Sequence, residues 1–204
     1  MGFFPAGGTA LSITGDSFAV GTTTGAIVLG SLEEKVGTAD HVDHKHSVRS
    51  VQWNPYHPDV FLSCGKDFTV RIWHRSIRSS VFKFFFEQEV VDVRWAPFSS
   101  TLFAAISGNA VIHVFDLSTS KTEAVGTYTV YTAKQNSRLT VLRFHLFKPI
   151  LMVGDDRGKV TVFKLSPNLR SSLKTLDSSE PGKYAANEKE KMEKLLASAK
   201  ERVK

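Results

Sequence analysis

His41, His44, His46 and His57 lie close together in the chain, and imidazole is a common metal ligand, so a metal site is the first chemistry these residues could serve. The pattern does not complete one. His44 and His46, two residues apart, share one face of an extended strand without fixing a third ligand, and Cys64 is the single cysteine. Ser63-Cys64 could supply a nucleophile, but no Gly-x-Ser-x-Gly elbow flanks it, and strand residues that face a packed sheet are poorly accessible. Gly21 to Gly25 and Gly65-Lys66 lack the spacing of a phosphate loop, whose glycines and lysine sit at a strand-to-helix junction. No catalytic, cofactor-binding or metal-ligating residue is assigned from these patterns.

The elements that would position these residues repeat. Val51-Gln52-Trp53-Asn54-Pro55 is echoed by Val93-Arg94-Trp95-Ala96-Pro97, with 42 residues between the tryptophans. The same shift maps Phe61 onto Phe103, Val70 onto Ile112, Ile72 onto Val114 and Trp73 onto Phe115. A third copy runs from Val141-Leu142-Arg143-Phe144 to Val160-Thr161-Val162-Phe163. A weaker one lies earlier, where Phe18-Ala19-Val20-Gly21 and Gly25-Ala26-Ile27-Val28 parallel Leu151 to Gly154 and Gly158 to Thr161. Within a unit, short β-branched and aromatic runs of period two alternate with turns such as Asn54-Pro55-Tyr56-His57-Pro58 and Cys64-Gly65-Lys66-Asp67. A period of about 40 to 45 residues with four strands per unit is the propeller signature. The spacing predicts an all-β fold of four blades over 9–168 (9–43, 44–86, 87–132 and 137–168), with Trp53 and Trp95 on innermost strands facing the next blade. A seven-bladed ring would need roughly 290 residues, so the expectation is a partial propeller, a piece or shortened form of a longer chain, whose open blade faces expose apolar surface.

The 204 residues are 42% hydrophobic and 23% charged, a globular composition. No apolar run approaches the roughly 18 to 20 residues of a membrane span, and Met1-Gly2-Phe3-Phe4-Pro5 lacks the charged start of a signal peptide. With one cysteine, the chain reads as intracellular. The net charge of +6 invites a nucleic-acid reading, but from Lys183 to Lys204 seven Lys/Arg stand against four Glu. Half of the excess therefore sits in a short mixed-charge tail, which gives phosphate binding little support.

The stretch from His44 through Val48, Val51 and Trp53 to Ser63, Asp67 and Ile72-Trp73 resembles a WD40 repeat, with His74 where the Asp of the terminal dipeptide normally stands. Val51 to Trp73 (VQWNPYHPDVFLSCGKDFTVRIW), Val93 to Ala105 (VRWAPFSSTLFAA) and Val153 to Arg170 (VGDDRGKVTVFKLSPNLR) resemble the C-terminal half of the propeller in axonemal outer-arm dynein intermediate chains of the type-1 branch. The cytoplasmic dynein intermediate chains are the next family in likeness, and a WD40 adaptor of another complex, binding RNA or a peptide, is the rival of a different class. The resemblance implies a non-catalytic subunit without cofactor or metal. It would dock on a dynein heavy chain beside a second intermediate chain, support outer-arm assembly and ciliary or flagellar motility, and reside in cytoplasm, cytoskeleton and axoneme. The long N-terminal region that binds light chains in that family has no counterpart here, which puts light chains in doubt as partners. The resemblance also implies a structural tetrad in which Asp67 accepts from His44, His44 reaches Ser63, and Ser63 meets the Trp73 indole N–H. Asn109 and Phe115 occupy the corresponding positions of the next repeat, so the relay is incomplete there. In the last repeat Asp155 and Asp156 keep an acidic turn in a shifted register.

Two segments are candidate partner contacts. Val81 to Phe86 would be an outermost strand, with Phe82, Phe84 and Phe86 on one face and Val81, Lys83 and Phe85 on the other. Residues 169–186, Ser-rich with a Pro-Gly pair, read as a linker, and 187–203 as a C-terminal helix with Asn187 as N-cap and Glu188 and Glu190 in the first turn. Its stripe of Met192, Leu195, Leu196, Ala199 and Val203 could pack on the propeller or dock on a partner.

Overall fold

The computed structural model describes residues 6–33, 37–131, 137–170 and 180–200. Fifteen strands among them form four antiparallel sheets in chain order. Sheet 1 holds β1 (Gly8–Thr14), β2 (Ser17–Thr22), β3 (Ala26–Ser31) and β4 (Gly37–Val42). Sheet 2 holds β5 (Val48–Trp53), β6 (Val60–Gly65), β7 (Thr69–His74) and β8 (Phe82–Phe85). Sheet 3 holds β9 (Val90–Trp95), β10 (Leu102–Ser107), β11 (Val111–Asp116) and β12 (Gly126–Thr129). Sheet 4 has three strands among the described residues, β13 (Leu139–Phe144), β14 (Ile150–Asp155) and β15 (Val160–Lys164). Each sheet is a meander, its strands hydrogen-bonded in chain order and joined by turns and loops of two to nine residues. The first strands β1, β5, β9 and β13 lie beside one another in series, the radial order of a propeller.

Three apolar cores lie between successive sheets. Sheets 1 and 2 enclose Ala19, Ile27, Leu29, Val51, Trp53, Phe61 and Trp73. Sheets 2 and 3 enclose Leu62, Cys64, Ile72, Phe84, Trp95, Phe103 and Phe115, and sheets 3 and 4 enclose Ala104, Ile106, Ile112, Leu142, Leu151 and Val153. Every residue of β6 and of β10 is buried, so these strands read as continuous apolar runs, and each large aliphatic or aromatic side chain contributes about 1.5 to 3 kcal/mol. Trp53 and Trp95 do stand on innermost strands, but they face the preceding sheet. The Trp53 indole Nε1 donates to Ser12 O (3.3 Å) on β1, and Trp95 packs with Leu62 and Ile72 of sheet 2. The expected orientation toward the next blade is corrected because the pleat, not the repeat echo, decides which face an alternating residue takes. The turn between the second and third strands of each sheet holds one residue at positive φ, namely Gly25 (91°), Phe68 (61°), Ala110 (59°) and Gly158 (81°).

The helix α1 spans Pro181–Lys200 and so begins ahead of Asn187, which lies inside it rather than capping it. Proline at the first helical position costs nothing, since that N–H has no helical partner. A short 3-10 turn (Pro167–Arg170) follows β15. Residues 171–179 of the expected linker, and Val203 of the expected stripe, lie outside the described residues. Tyr184, Glu188, Met192, Leu196 and Ala199 form one buried face of α1, set at helical spacing. This face crosses the end of sheets 2 and 3 formed by the β5–β6 and β9–β10 loops: Tyr184 donates to Phe98 O (2.5 Å) and its ring meets Tyr56 edge-on (5.7 Å).

Candidate functional site

The relay residues come from four chain segments. The β4–β5 connection supplies His44, β6 supplies Ser63, the turn after β6 supplies Asp67, and β7 supplies Thr69, Arg71 and Trp73. His44 Nδ1 lies 2.9 Å from Asp67 Oδ1, His44 Nε2 lies 2.7 Å from Ser63 Oγ, and Trp73 Nε1 donates to Ser63 Oγ at 2.8 Å. The network fixes the tautomer: with the Ser63 oxygen taken by the indole N–H, its hydroxyl donates to Nε2, and Nδ1–H donates to Asp67. The close approach of the first sheet explains Gly25, where a Cβ would meet His44 O at 2.3 Å.

A serine, histidine and aspartate joined in this order could activate a hydroxyl. Ser63, however, is 0% exposed and its oxygen already serves the indole, so no electrophile can reach it. The group therefore acts as a structural relay that satisfies buried polar atoms. The sequence reading missed two members. Thr69 Oγ1 donates to Asp67 Oδ1 (2.8 Å) and accepts from Arg71 Nε (3.1 Å). Arg71, buried, reaches Asp67 Oδ2 with Nη2 (3.2 Å) and Asp43 with Nη1. A buried guanidinium shared by two carboxylates ties the β4–β5 connection to the β6–β7 turn.

Desolvation holds the His44 pKa below its ordinary value, against the raising effect of Asp67. Burial likewise lowers His57 and His113. For Asp67, burial alone would raise the carboxyl, but hydrogen bonds from His44, Thr69 and the Lys45 N–H keep it well below the usual carboxylate range. A histidine whose pKa is lower in the folded state adds stability that is complete above about pH 6.5 and is lost as the pH falls toward its folded value. Asp67 adds stability that is complete above about pH 4 and is lost below it. The urea midpoint is therefore expected to fall in two stages on acidification, and His44→Gln is expected to shrink the first. A midpoint unchanged between about pH 7.5 and pH 5 would contradict the neutral, buried imidazole.

The corresponding positions of sheet 3 use other chemistry. Phe115 stacks on Phe103 (4.8 Å, 6°) where Trp73 stacks on Phe61 (5.9 Å, 9°), and Ser107 Oγ donates to Asn109 Oδ1 (2.6 Å). In sheet 4, Asp155 Oδ2 accepts from Tyr131 (2.7 Å) and Ser137 (2.9 Å). His41 packs edge-on against Phe61 (5.4 Å) and Trp73 (5.5 Å) with Nε2 3.4 Å from His74 O, and His57 meets the His74 ring edge-on (6.0 Å), but no metal-holding group of side chains forms among the described residues.

The candidate contact residues divide. Phe82 and Phe84 are buried between sheets 2 and 3, and Phe86 packs at the edge of the same core. Met192 and Leu196 are buried in that core too, with Leu195 half-buried against it, so the stripe of α1 is engaged within the chain and is not free for a partner. A second anchor was not legible: Glu188, buried, accepts from Ser100 N (2.7 Å) and Ser100 Oγ (2.8 Å) and pairs with Lys191. Phe85 alone of the four phenylalanines faces solvent, 77% exposed on the outermost strand, with Lys83 Nζ 5.0 Å from its ring.

Residues 37–74 match the WD40 family (WD domain, G-beta repeat). The chain is 40% identical to the "Dynein intermediate chain 2, ciliary" of Heliocidaris crassispina over 90% of its length, and 45% identical to the "Dynein axonemal intermediate chain 1" of Bos taurus over 88%. It is 35% identical over 77% to the "Dynein, 78 kDa intermediate chain, flagellar outer arm" of Chlamydomonas reinhardtii. It spans about a quarter of each, namely 26%, 26% and 23%. Among solved structures it superposes on the computationally designed Ika4 protein (TM-score 0.66, 18% identity, 80% of this chain and 94% of that one). It also superposes on the designed Ika8 protein (TM-score 0.62, 19% identity, 76% and 45%).

Proposed function

The chain belongs with the axonemal dynein intermediate chains, as a homologue of their C-terminal WD40 part, and from that premise we propose that it is a non-catalytic scaffold docking on a dynein heavy chain. In this reading force generation belongs to the partner, and the sheets present a rigid surface that holds an outer arm together in the axoneme of a cilium or flagellum. The observation that carries the docking is the exposed Phe85 with Lys83 over its ring, on the edge strand β8. Aromatic side chains beside a cation are typical interface anchors, and an edge strand offers unpaired backbone groups to a partner. The buried relay behind it stiffens sheet 2, so Phe85 is presented at little entropic cost.

The test is affinity purification of the tagged chain from ciliated cells, followed by mass spectrometry. Heavy chain is expected with the wild-type protein, and Phe85→Ser is expected to reduce its recovery about tenfold, equivalent to about 1.4 kcal/mol, at unchanged circular dichroism. Equal recovery with both proteins would move the interface elsewhere. Wild-type protein that retains no heavy chain would overturn the scaffold reading.

A further inference from the structure

Where the last turn of α1 meets sheets 2 and 3, a cleft of about 210 Å³ gathers positive charge without a counter-charge. It has several times the ~30 Å³ that one water takes up in the liquid. Lys83 of β8, Lys121 and Thr122 of the β11–β12 connection and Ser198 of α1 line it, with apolar neighbours. Lys121 Nζ donates to Ser198 Oγ (2.6 Å), and Ser198 Oγ donates to Leu195 O (2.8 Å). A helical serine that bonds back to its own i−3 carbonyl is ordinary. A half-buried lysine that meets only a hydroxyl is not, since a cation drawn out of water is normally paired with a carboxylate.

Neither Lys121 nor Lys83 makes an ion pair among the described residues. Asp43, whose charge acts on Lys83, is already held by Arg71 and Ser80. Two ammonium groups and two hydroxyls thus line one cleft with no anion among them, the donor set that suits a phosphoryl group. The sequence around Ser198 has a matching bias: within four positions on either side stand Lys194, Lys200 and Arg202, with Glu201 the one acid. Ser198 also lies two residues before the end of α1 at Lys200, where carbonyls lack helical partners and local opening costs least. An enzyme that reads cationic substrates can therefore reach it.

We propose that Ser198 is a phosphorylation site whose phosphoryl group is received by Lys121, Lys83 and Thr122, fastening the C-terminal end of α1 to sheets 2 and 3. In the active site of a serine kinase, Ser198 Oγ attacks the γ-phosphorus of ATP. The Oγ–P bond forms, the bond from that phosphorus to the bridging β-oxygen breaks, ADP leaves, and the hydroxyl proton passes to the kinase's catalytic base. The new dianion meets the negative end of the helix dipole, an effect that is weak and confined to the last turn. Charge-assisted hydrogen bonds from two ammonium groups act directly and are about twice as strong as neutral ones, so attraction wins. The proposal stands without the heavy-chain reading.

The whole folded chain is treated with ATP and a basophilic serine kinase of the protein kinase C class, and the modified residues are mapped by mass spectrometry; Ser198 is expected among them. Its phosphorus resonance, identified by its loss in Ser198→Ala, is expected to titrate about one pH unit below the usual value of about 6. Amides in the last turn of α1 are expected to exchange about tenfold more slowly than in the unmodified chain. Lys121→Met keeps the apolar stem and removes the charge, and it is expected to shrink both differences. Inorganic phosphate added to the unmodified chain is expected to leave exchange unchanged. An unmodified Ser198, a phosphoserine that titrates as a free one, differences that persist in Lys121→Met, or equal slowing by the free ion would each overturn the proposal.

Discussion

Asp67→Ala is expected to lower the folding stability of the chain by about 3 kcal/mol or more, the usual cost of stranding a buried charge. The carboxylate accepts from His44, Thr69, the Lys45 N–H and Arg71, and its loss leaves the buried Arg71 guanidinium with one half-exposed carboxylate, Asp43, and the Thr69 hydroxyl. His44 Nδ1–H loses its acceptor at the same time, so a neutral donor is also left unpaired. Asn109→Ala is the matched control, for Asn109 serves one hydroxyl in a sheet held by the stacked Phe103 and Phe115, and about 1 kcal/mol is expected. Urea denaturation followed by tryptophan fluorescence separates the two. Equal losses would show that the relay carries no more than an ordinary side-chain hydrogen bond.

Met192→Asp is expected to detach α1. Met192 is fully buried among Val60, Phe82 and Leu117, and an unpaired carboxylate there costs more than the docked helix gains. Met192→Ala keeps the helix docked in part, at about 2 to 5 kcal/mol. Amide exchange reads the difference: with Asp the amides of α1 are expected to exchange as in a free helix while β6 and β10 stay protected, and with Ala they slow again. Protection of α1 unchanged in Met192→Asp would mean that Glu188, through its two bonds from Ser100, holds the helix without the apolar stripe.

The sheets were legible because each blade is a local object: strands joined by short turns, with one 42-residue echo from Trp53 to Trp95. What period two does not contain is direction, and so the face taken by the two tryptophans came out reversed. The His44, Ser63, Asp67 and Trp73 contacts followed from a family pattern, whereas Arg71 did not. On an alternating strand an arginine reads as solvent-facing, and its two carboxylates arrive from loops on either side. Glu188 reads equally well as a first-turn residue favoured by the helix dipole, because its partner Ser100 is remote in sequence. The start at Pro181 had a local signal, but Asn187 followed by Glu188 offered a competing cap.

Cys64, the single thiol, is sealed in the junction between sheets 2 and 3, and burial pushes its pKa well up. An external oxidant or alkylating reagent attacks a thiolate, which this residue can offer only after the two sheets part. Its modification rate is therefore a clock for the breathing of that one seam, set by the opening equilibrium when reclosure is fast. The protein thus carries a built-in, one-per-molecule reporter that is silent while the arc is closed and speaks first about the junction that α1 straps.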